Sequence, residues 1–244
     1  MTDEDGFTLV RGNGRPRKNT QKLSMNGKTL ETGSFEDIQL ERFQKKIEEL
    51  KIKIQRTLLY ESLIKDMPKL DVVVCYGLGK LHIYRTQLQI ALISSLLQRF
   101  MGEIYSFDPI HTEKERSIIR TLGFIPLDVD EEGQREIPDS HTCLFYMPHC
   151  DRWLYNNVIK KNREDLPRIF ILGNSFLEYS KKYKLKEEQD EINKLVELAL
   201  VSELKYSLSP GSESNLDKNS MYEAFNDLRL MSFTKNESTE MLNI

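Results

Sequence analysis

The stretch Asp71-Val72-Val73-Val74-Cys75-Tyr76-Gly77-Leu78-Gly79-Lys80 joins an apolar, β-branched run to two closely spaced glycines, and a helix-patterned segment follows. Strand, tight glycine turn and helix are how α/β folds set backbone N–H groups against a phosphate or a nucleoside. Gly77 and Gly79 can take positive φ and let a ligand come close to the main chain, with Lys80 beside them. A full G-x-G-x-x-G pattern needs a third glycine at position 82, which is His82, so the fingerprint is incomplete.

Three further polar groups follow apolar runs that read as strands. Asp108 ends Glu103–Phe107 and lies 29 residues beyond Gly79. An acidic side chain at the end of the second strand accepts hydrogen bonds from ribose hydroxyls in dinucleotide and S-adenosylmethionine sites, usually about 20 residues after the glycines. Asp108-Pro109 also reads as a plain turn. Pro148-His149-Cys150-Asp151 closes the strand Thr142–Met147. A lone His-Cys pair lacks the spacing of a zinc site, which needs three or four ligands, so no metal is expected. Adjacency in sequence does not make His149 and Cys150 a catalytic pair either. Asp151 suits the N-cap of the next helix. Gly173-Asn174-Ser175 ends the strand Ile169–Leu172, and Asn174 and Ser175 can bond a ligand or cap a helix. Trp153 and Tyr155 read as helix packing, and Cys75 as a small buried hydrophobe.

These positions share one site only if the elements between them converge. Leu40, Phe43, Ile47, Leu50, Ile54 and Leu58 recur at steps of three or four, which predicts one amphipathic helix over 35–67, capped by Ser34 and ended by Pro68. Leu70–Tyr76 predicts a buried strand and Leu81–Phe100 a helix. Glu103–Phe107, Phe124–Val129, Thr142–Met147 and Ile169–Leu172 predict further strands. Helices are predicted at Thr112–Thr121, Arg152–Lys161 and from Phe176 to Lys186. Leu198–Leu204 and Leu228–Phe233 add two strands, joined by the loop SPGSESNLDKNS, with 209–220 expected to be poorly ordered. Alternating strands and helices predict a Rossmann-like, doubly wound, mainly parallel α/β sheet, with an N-terminal helix and extra C-terminal strands. The strand beginning near Leu70 is expected at its centre. Gly77, Gly79, Asp108, His149 and Asn174 are then expected around one concavity at the carboxyl edge.

The chain's 244 residues fit a single α/β domain over 35–236, with a core at 70–233. Residues 1–34 read as a disordered basic tail and 237–244 as a short C-terminal one. A net charge of -3 with 30% charged residues gives no general reason to expect a nucleic-acid or membrane partner. No apolar run approaches the roughly 20 residues of a membrane span. Cys75, Cys143 and Cys150 are too few, and odd in number, for a disulfide framework, which points to a reducing, cytoplasmic compartment. The loose basic cluster from Arg11 to Lys28 leaves nuclear entry open.

Taken in order, these segments resemble the SRR-like domain family, named for the plant protein Sensitivity to Red Light Reduced. DGFTLVRGNGRPRK resembles the family's N-terminal Trp-x-Val segment, with Phe7 in the aromatic position. VVVCYGLGK with Gln87 and Gln89 resembles its glycine motif and following helix. YSFDPIHTEKE, FYMPHCDRWLYNNVIKKN, IFILGNSF and EAFNDLRLMSF resemble its acidic, Pro-His-Cys, Gly-Asn-Ser and Phe-Asn-Asp motifs. The resemblance implies a non-enzymatic regulator, associated with circadian-clock input, clock-gene expression and, in an animal relative, heme biosynthesis. The alternative is an S-adenosylmethionine-dependent methyltransferase or another enzyme that binds a nucleoside-containing cofactor. Methyltransferase folds commonly carry an acidic residue two positions before the first motif glycine, where this chain has Cys75. A protein partner and a small ligand both stay open.

Overall fold

The computed structural model describes residues 35–98, 100–178, 201–211 and 213–234. Seven strands form one sheet in the order β3-β2-β1-β4-β5-β7-β6. β1 (Val72–Tyr76) lies between β2 (Glu103–Phe107) and β4 (Cys143–Met147), one place from the middle, and pairs with both in parallel. β3 (Ile125–Pro126) and β5 (Ile169–Asn174) continue the parallel set outward on either side. β7 (Leu228–Phe233) turns antiparallel against β5, and β6 (Val201–Lys205) against β7. This is the Rossmann-like, doubly wound arrangement, with an antiparallel hairpin added at one edge.

Side-chain alternation divides β1 between two cores. Val73 and Cys75 face one side with Leu144 and Tyr146 of β4; Val72, Val74 and Tyr76 face the other with Cys143, Phe145 and Met147. All five residues of β1 and of β4 are buried, as strands covered on both faces require. The first face is covered by α1 (Phe35–Ile54), α2 (Leu58–Asp66), α3 (Tyr84–Leu96), α4 (Glu113–Thr121) and α6 (Lys218–Phe225). The second is covered by α5 (Arg152–Lys161), the 3-10 turn Arg163–Arg168 and the segment around Ile137. No helix among the described residues is long and apolar enough to cross a membrane.

The predicted single helix over 35–67 is two helices. Thr57 breaks it: its hydroxyl donates to the Ile54 carbonyl (2.6 Å) and accepts from the Tyr60 N–H (3.2 Å), which ends α1 and caps α2. The apolar stripe shifts across the break. Ile47, Leu50 and Ile54 are buried as expected, but Leu58 is exposed and Leu59 and Leu63 take over the inward face. Residues predicted to be poorly ordered at 209–220 are anchored where they are described. Ser214 and Leu216 are buried, Asp217 accepts from the N–H groups of Asn219 and Ser220, and α6 starts at Lys218. The short, polar α6 lacks a long periodic pattern, which is why the sequence hides it. The strand expected over Phe124–Val129 is only Ile125–Pro126, since Pro126 supplies no N–H for a ladder. The Ser34 cap, most of the helix from Phe176 and both tails lie outside the described residues.

The ends of β4 and β5 are tied by one hydroxyl. Fully buried Tyr155 of α5 donates to the Met147 carbonyl and accepts from the Asn174 N–H at 3.0 Å. Gly173 is glycine because a Cβ there would sit 2.7 Å from that hydroxyl oxygen. Replacing Tyr155 with Phe leaves a buried donor and acceptor unmatched, at about 1–3 kcal/mol for the unsatisfied groups. Urea denaturation of Tyr155→Phe should show a lowered midpoint with an unchanged slope; an unchanged midpoint would mean that other groups satisfy both strand ends.

Candidate functional site

Between the carboxyl ends of β1, β2 and β4 lies a cleft of about 430 Å³. It sits where the strand order reverses, because β1 continues to β2 on one side while β4 lies on the other. That is the crevice in which open α/β sheets bind ligands. Tyr76 and Gly77 come from the end of β1; Phe107, Asp108, Pro109 and Ile110 from the end of β2. His149, Cys150 and Asp151 follow β4, and Trp153 and Leu154 open α5. Asp130 reaches the cleft from the irregular connection between β3 and β4.

Four of the sequence-selected residues, Gly77, Asp108, His149 and Cys150, therefore share one concavity. Gly79, Lys80, Asn174 and Ser175 do not line it. Gly79 and Asn174 bond groups that do, so they act one step behind the wall.

The glycine loop is fastened by the second βα connection. Asp108 Oδ2 accepts from the Gly79 N–H at 2.7 Å, and its Oδ1 accepts from the Ile110 N–H at 3.0 Å, closing an Asx turn. His111 Nε2 lies 2.8 Å from the Gly79 carbonyl, which can only accept, so Nε2 carries the proton. The Gly77 N–H donates to the Phe107 carbonyl at 3.1 Å. Glu115 closes the capping box of α4 with Thr112 and also accepts from the Leu81 N–H at 3.2 Å. Burial works against its charge, yet the N–H groups of Thr112 and Leu81 and the Thr112 hydroxyl hold its carboxyl below the usual range. Both glycines have positive φ, +67° at Gly77 and +85° at Gly79. Both are crowded: a Cβ on Gly77 would meet Cys150 Sγ at 2.7 Å, and one on Gly79 would meet Thr86 Oγ1 at 2.7 Å. The glycines thus serve the packing of the loop against its own neighbours. Lys80 is exposed, and its carbonyl accepts from Ile83.

The segment after β4 is held from the opposite side. His149 has φ +57°, an uncommon value for a non-glycine residue. Its N–H donates to Asn174 Oδ1 at 2.9 Å, and its Nε2 donates to the Ala224 carbonyl at 3.1 Å, near the C-terminus of α6. Gln89 Nε2 of α3 donates to the same carbonyl at 3.1 Å. Packing around the ring pushes the His149 imidazole below its ordinary value, against the pull of the Ala224 bond. Cys150 is buried, and its thiol donates to the Tyr76 carbonyl. Burial, with Asp108 and Asp151 nearby, pushes that thiol far up and keeps it protonated. Ser175 Oγ donates to Glu203 Oε2 at 2.6 Å and accepts from the Glu178 N–H at 3.1 Å. Ser175 is a cap backed by a carboxylate from β6.

Asp151 occupies the N-cap position of α5, but its side chain makes no capping bond. Trp153, read from the sequence as helix packing, is 48% exposed and forms part of the cleft wall, while Tyr155 is fully buried as expected. Their spacing explains the difference: two positions apart on a helix, they point to different faces. Asp130 escaped the sequence reading because it follows no strand. Its segment is placed by Tyr76, whose hydroxyl donates to Glu131 (3.1 Å), by the Glu131–Arg135 ion pair (2.8 Å), and by Arg135 lying 4.1 Å over the Tyr105 ring.

Comparison with known proteins agrees with the motif order. The SRR1 domain matches residues 40–232. The chain is 32% identical over 174 residues to Protein SENSITIVITY TO RED LIGHT REDUCED 1 of Arabidopsis thaliana, a match covering 69% of this chain and 59% of that protein. It is 37% identical over 109 residues to an SRR1-like protein of Mus musculus, covering 42% and 43%. A Drosophila melanogaster SRR1-like protein is 27% identical over 209 residues, covering 81% and 70%. The chain thus spans less than two thirds of the length of the mouse and plant relatives it matches. Solved structures with a similar course include the plantazolicin methyltransferase BpumL in complex with SAH, at 12% identity and a TM-score of 0.34, over 82% of this chain and 89% of that one. With the SRR1 domain matched across most of its length, the chain belongs to the SRR1 domain family.

Proposed function

We propose that this chain is a ligand-responsive regulatory protein that binds a nucleoside-containing molecule in the cleft between β1, β2 and β4. The cleft itself carries the reading: about 430 Å³ at the point where the strand order reverses. Its volume falls in the range of small-molecule sites. Trp153 offers a flat apolar face, and base–aromatic stacking contributes about 1–3 kcal/mol. Each oxygen of Asp108 accepts one internal hydrogen bond, which leaves lone pairs for ribose hydroxyls.

Regulation is favoured over catalysis by what the polar groups already do. The Cys150 thiol is protonated and bonded to a carbonyl, so it is a poor nucleophile. His149 Nε2 is engaged with the Ala224 carbonyl. Cys75, where a methyltransferase commonly has an acid, is a buried thiol in the hydrophobic core. By its family, the response extends to clock input and to control of heme biosynthesis, in the cytoplasm and the nucleus. A relative is named for sensitivity to red light, and that name is what ties the family to a light response.

Titration calorimetry with adenosine and S-adenosylmethionine tests the cleft. At least one should bind the wild type and raise its melting temperature by mass action. Trp153→Ala should weaken that binding about tenfold or more while leaving the unfolding free energy from urea denaturation within about 0.5 kcal/mol, since the ring is half exposed. Asp108→Asn should do both, weakening binding and costing about 1–3 kcal/mol of stability, because an amide nitrogen would face the Gly79 or Ile110 N–H. No heat and no stabilisation from any nucleoside would overturn the proposal.

A further inference from the structure

We infer that the cleft selects an unphosphorylated nucleoside, neutral or cationic, over any nucleotide. This inference rests on the nucleoside reading above and concerns the charge of that ligand. It starts from the backbone donors. In a phosphate-binding glycine loop the N–H groups are free to face the anion. Here the Gly77, Gly79 and Leu81 N–H groups are spent on the Phe107 carbonyl, Asp108 Oδ2 and Glu115 Oε1. α3 begins only at Tyr84, and none of its residues lines the cleft, so its positive end is not offered there.

The wall charges point the same way. Asp108, Asp130 and Asp151 line the cleft, and no lysine or arginine does so among the described residues. Asp108 and Asp130 are oriented by internal bonds, from Gly79 and Ile110 in one case and from Glu132 in the other. Among the described residues, α5 brings its N-terminus to the cleft, and its N-cap residue Asp151, whose side chain makes no capping bond, adds a carboxylate to the same wall. A phosphate would enter among three carboxylates, with no lysine or arginine in the described wall and with the Gly77, Gly79 and Leu81 N–H groups already bonded elsewhere. A ribose hydroxyl donates to carboxylates, and a positive centre gains from them.

The test compares ligands that differ in charge on the full chain at low salt. Adenosine against AMP, and S-adenosylmethionine against its uncharged-sulfur product, are titrated by calorimetry. AMP should bind at least tenfold more weakly than adenosine, and the sulfonium form more tightly than its product. Raising the salt to 0.5 M should narrow both gaps, because carboxylates at an open cleft are screened. Asp130→Asn with Asp151→Asn should also narrow them. Asparagine keeps the acceptor for the Glu132 N–H and is an equally good N-cap, and an unchanged melting temperature would verify the fold. AMP or ATP binding as tightly as adenosine would overturn the charge inference and leave the nucleoside reading standing. Rejection of AMP that does not respond to salt or to the double substitution would also overturn it, as a steric effect. Failure of every nucleoside would instead overturn the reading on which it rests.

Discussion

The bond from the Gly79 N–H to the Asp108 carboxylate is the contact on which the carboxyl edge of the sheet depends. It ties the loop after β1 to the loop after β2 across the strand pair that frames the cleft. Around it, His111 holds the Gly79 carbonyl and Glu115 the Leu81 N–H, so both polar groups of Gly79 are matched by side chains of one segment. A charge-assisted bond of this kind, nearly buried, is stronger than a neutral one and costly to break. The loop is therefore set before any ligand arrives. A preformed site spends less of its binding free energy on ordering the protein.

A second set of ties links the C-terminal hairpin to the same edge. The Ala224 carbonyl, in the last turn of α6, has no continuing helix to serve it. Gln89 and His149 both donate to it, joining α3 and the segment after β4. Asn174 holds the His149 backbone, and Glu203 of β6 accepts from the Ser175 hydroxyl and from the Phe176 N–H at 2.8 Å. His149 is thus held at positive φ by bonds on both its backbone and its ring, and it joins the cleft wall to α6 and to the end of β5.

Much of this was legible in the sequence. The apolar runs of β1, β4 and β5 are long, β-branched or aromatic, and closed by glycine or proline, so their existence and order follow from pattern. Arg152–Lys161 and Leu228–Phe233 have the predicted bounds. Less legible were features set by tertiary contact. Thr57 splits a helix by two local bonds that periodicity does not register. Asp130 is carried to the cleft by Tyr76, Arg135 and Tyr105, which lie far apart in the chain. Gly79, Asn174 and Ser175 lie at or just past strand ends as ligand-binding residues do, yet their polar groups are used inside the protein. Sequence position gave the right edge of the sheet but could not say which way each group faces.

The same distinction bears on what a glycine motif means. Glycines after the first strand of an α/β sheet are needed whenever something must approach the main chain closely, and the approaching group need not be a ligand. At Gly77 it is the Cys150 sulfur, and at Gly79 the Thr86 hydroxyl. Those contacts fill the space beside the loop and leave the cleft walled by the ends of the strands and the side chains that follow them. The side chains exposed there are those of Asp108, Asp130, Asp151 and Trp153, which do not favour anions as free backbone N–H groups do. The cleft lies where a dinucleotide site lies in this fold, yet its described wall carries three carboxylates and no lysine or arginine, so a ligand class has to be argued from the side chains and not from the fold.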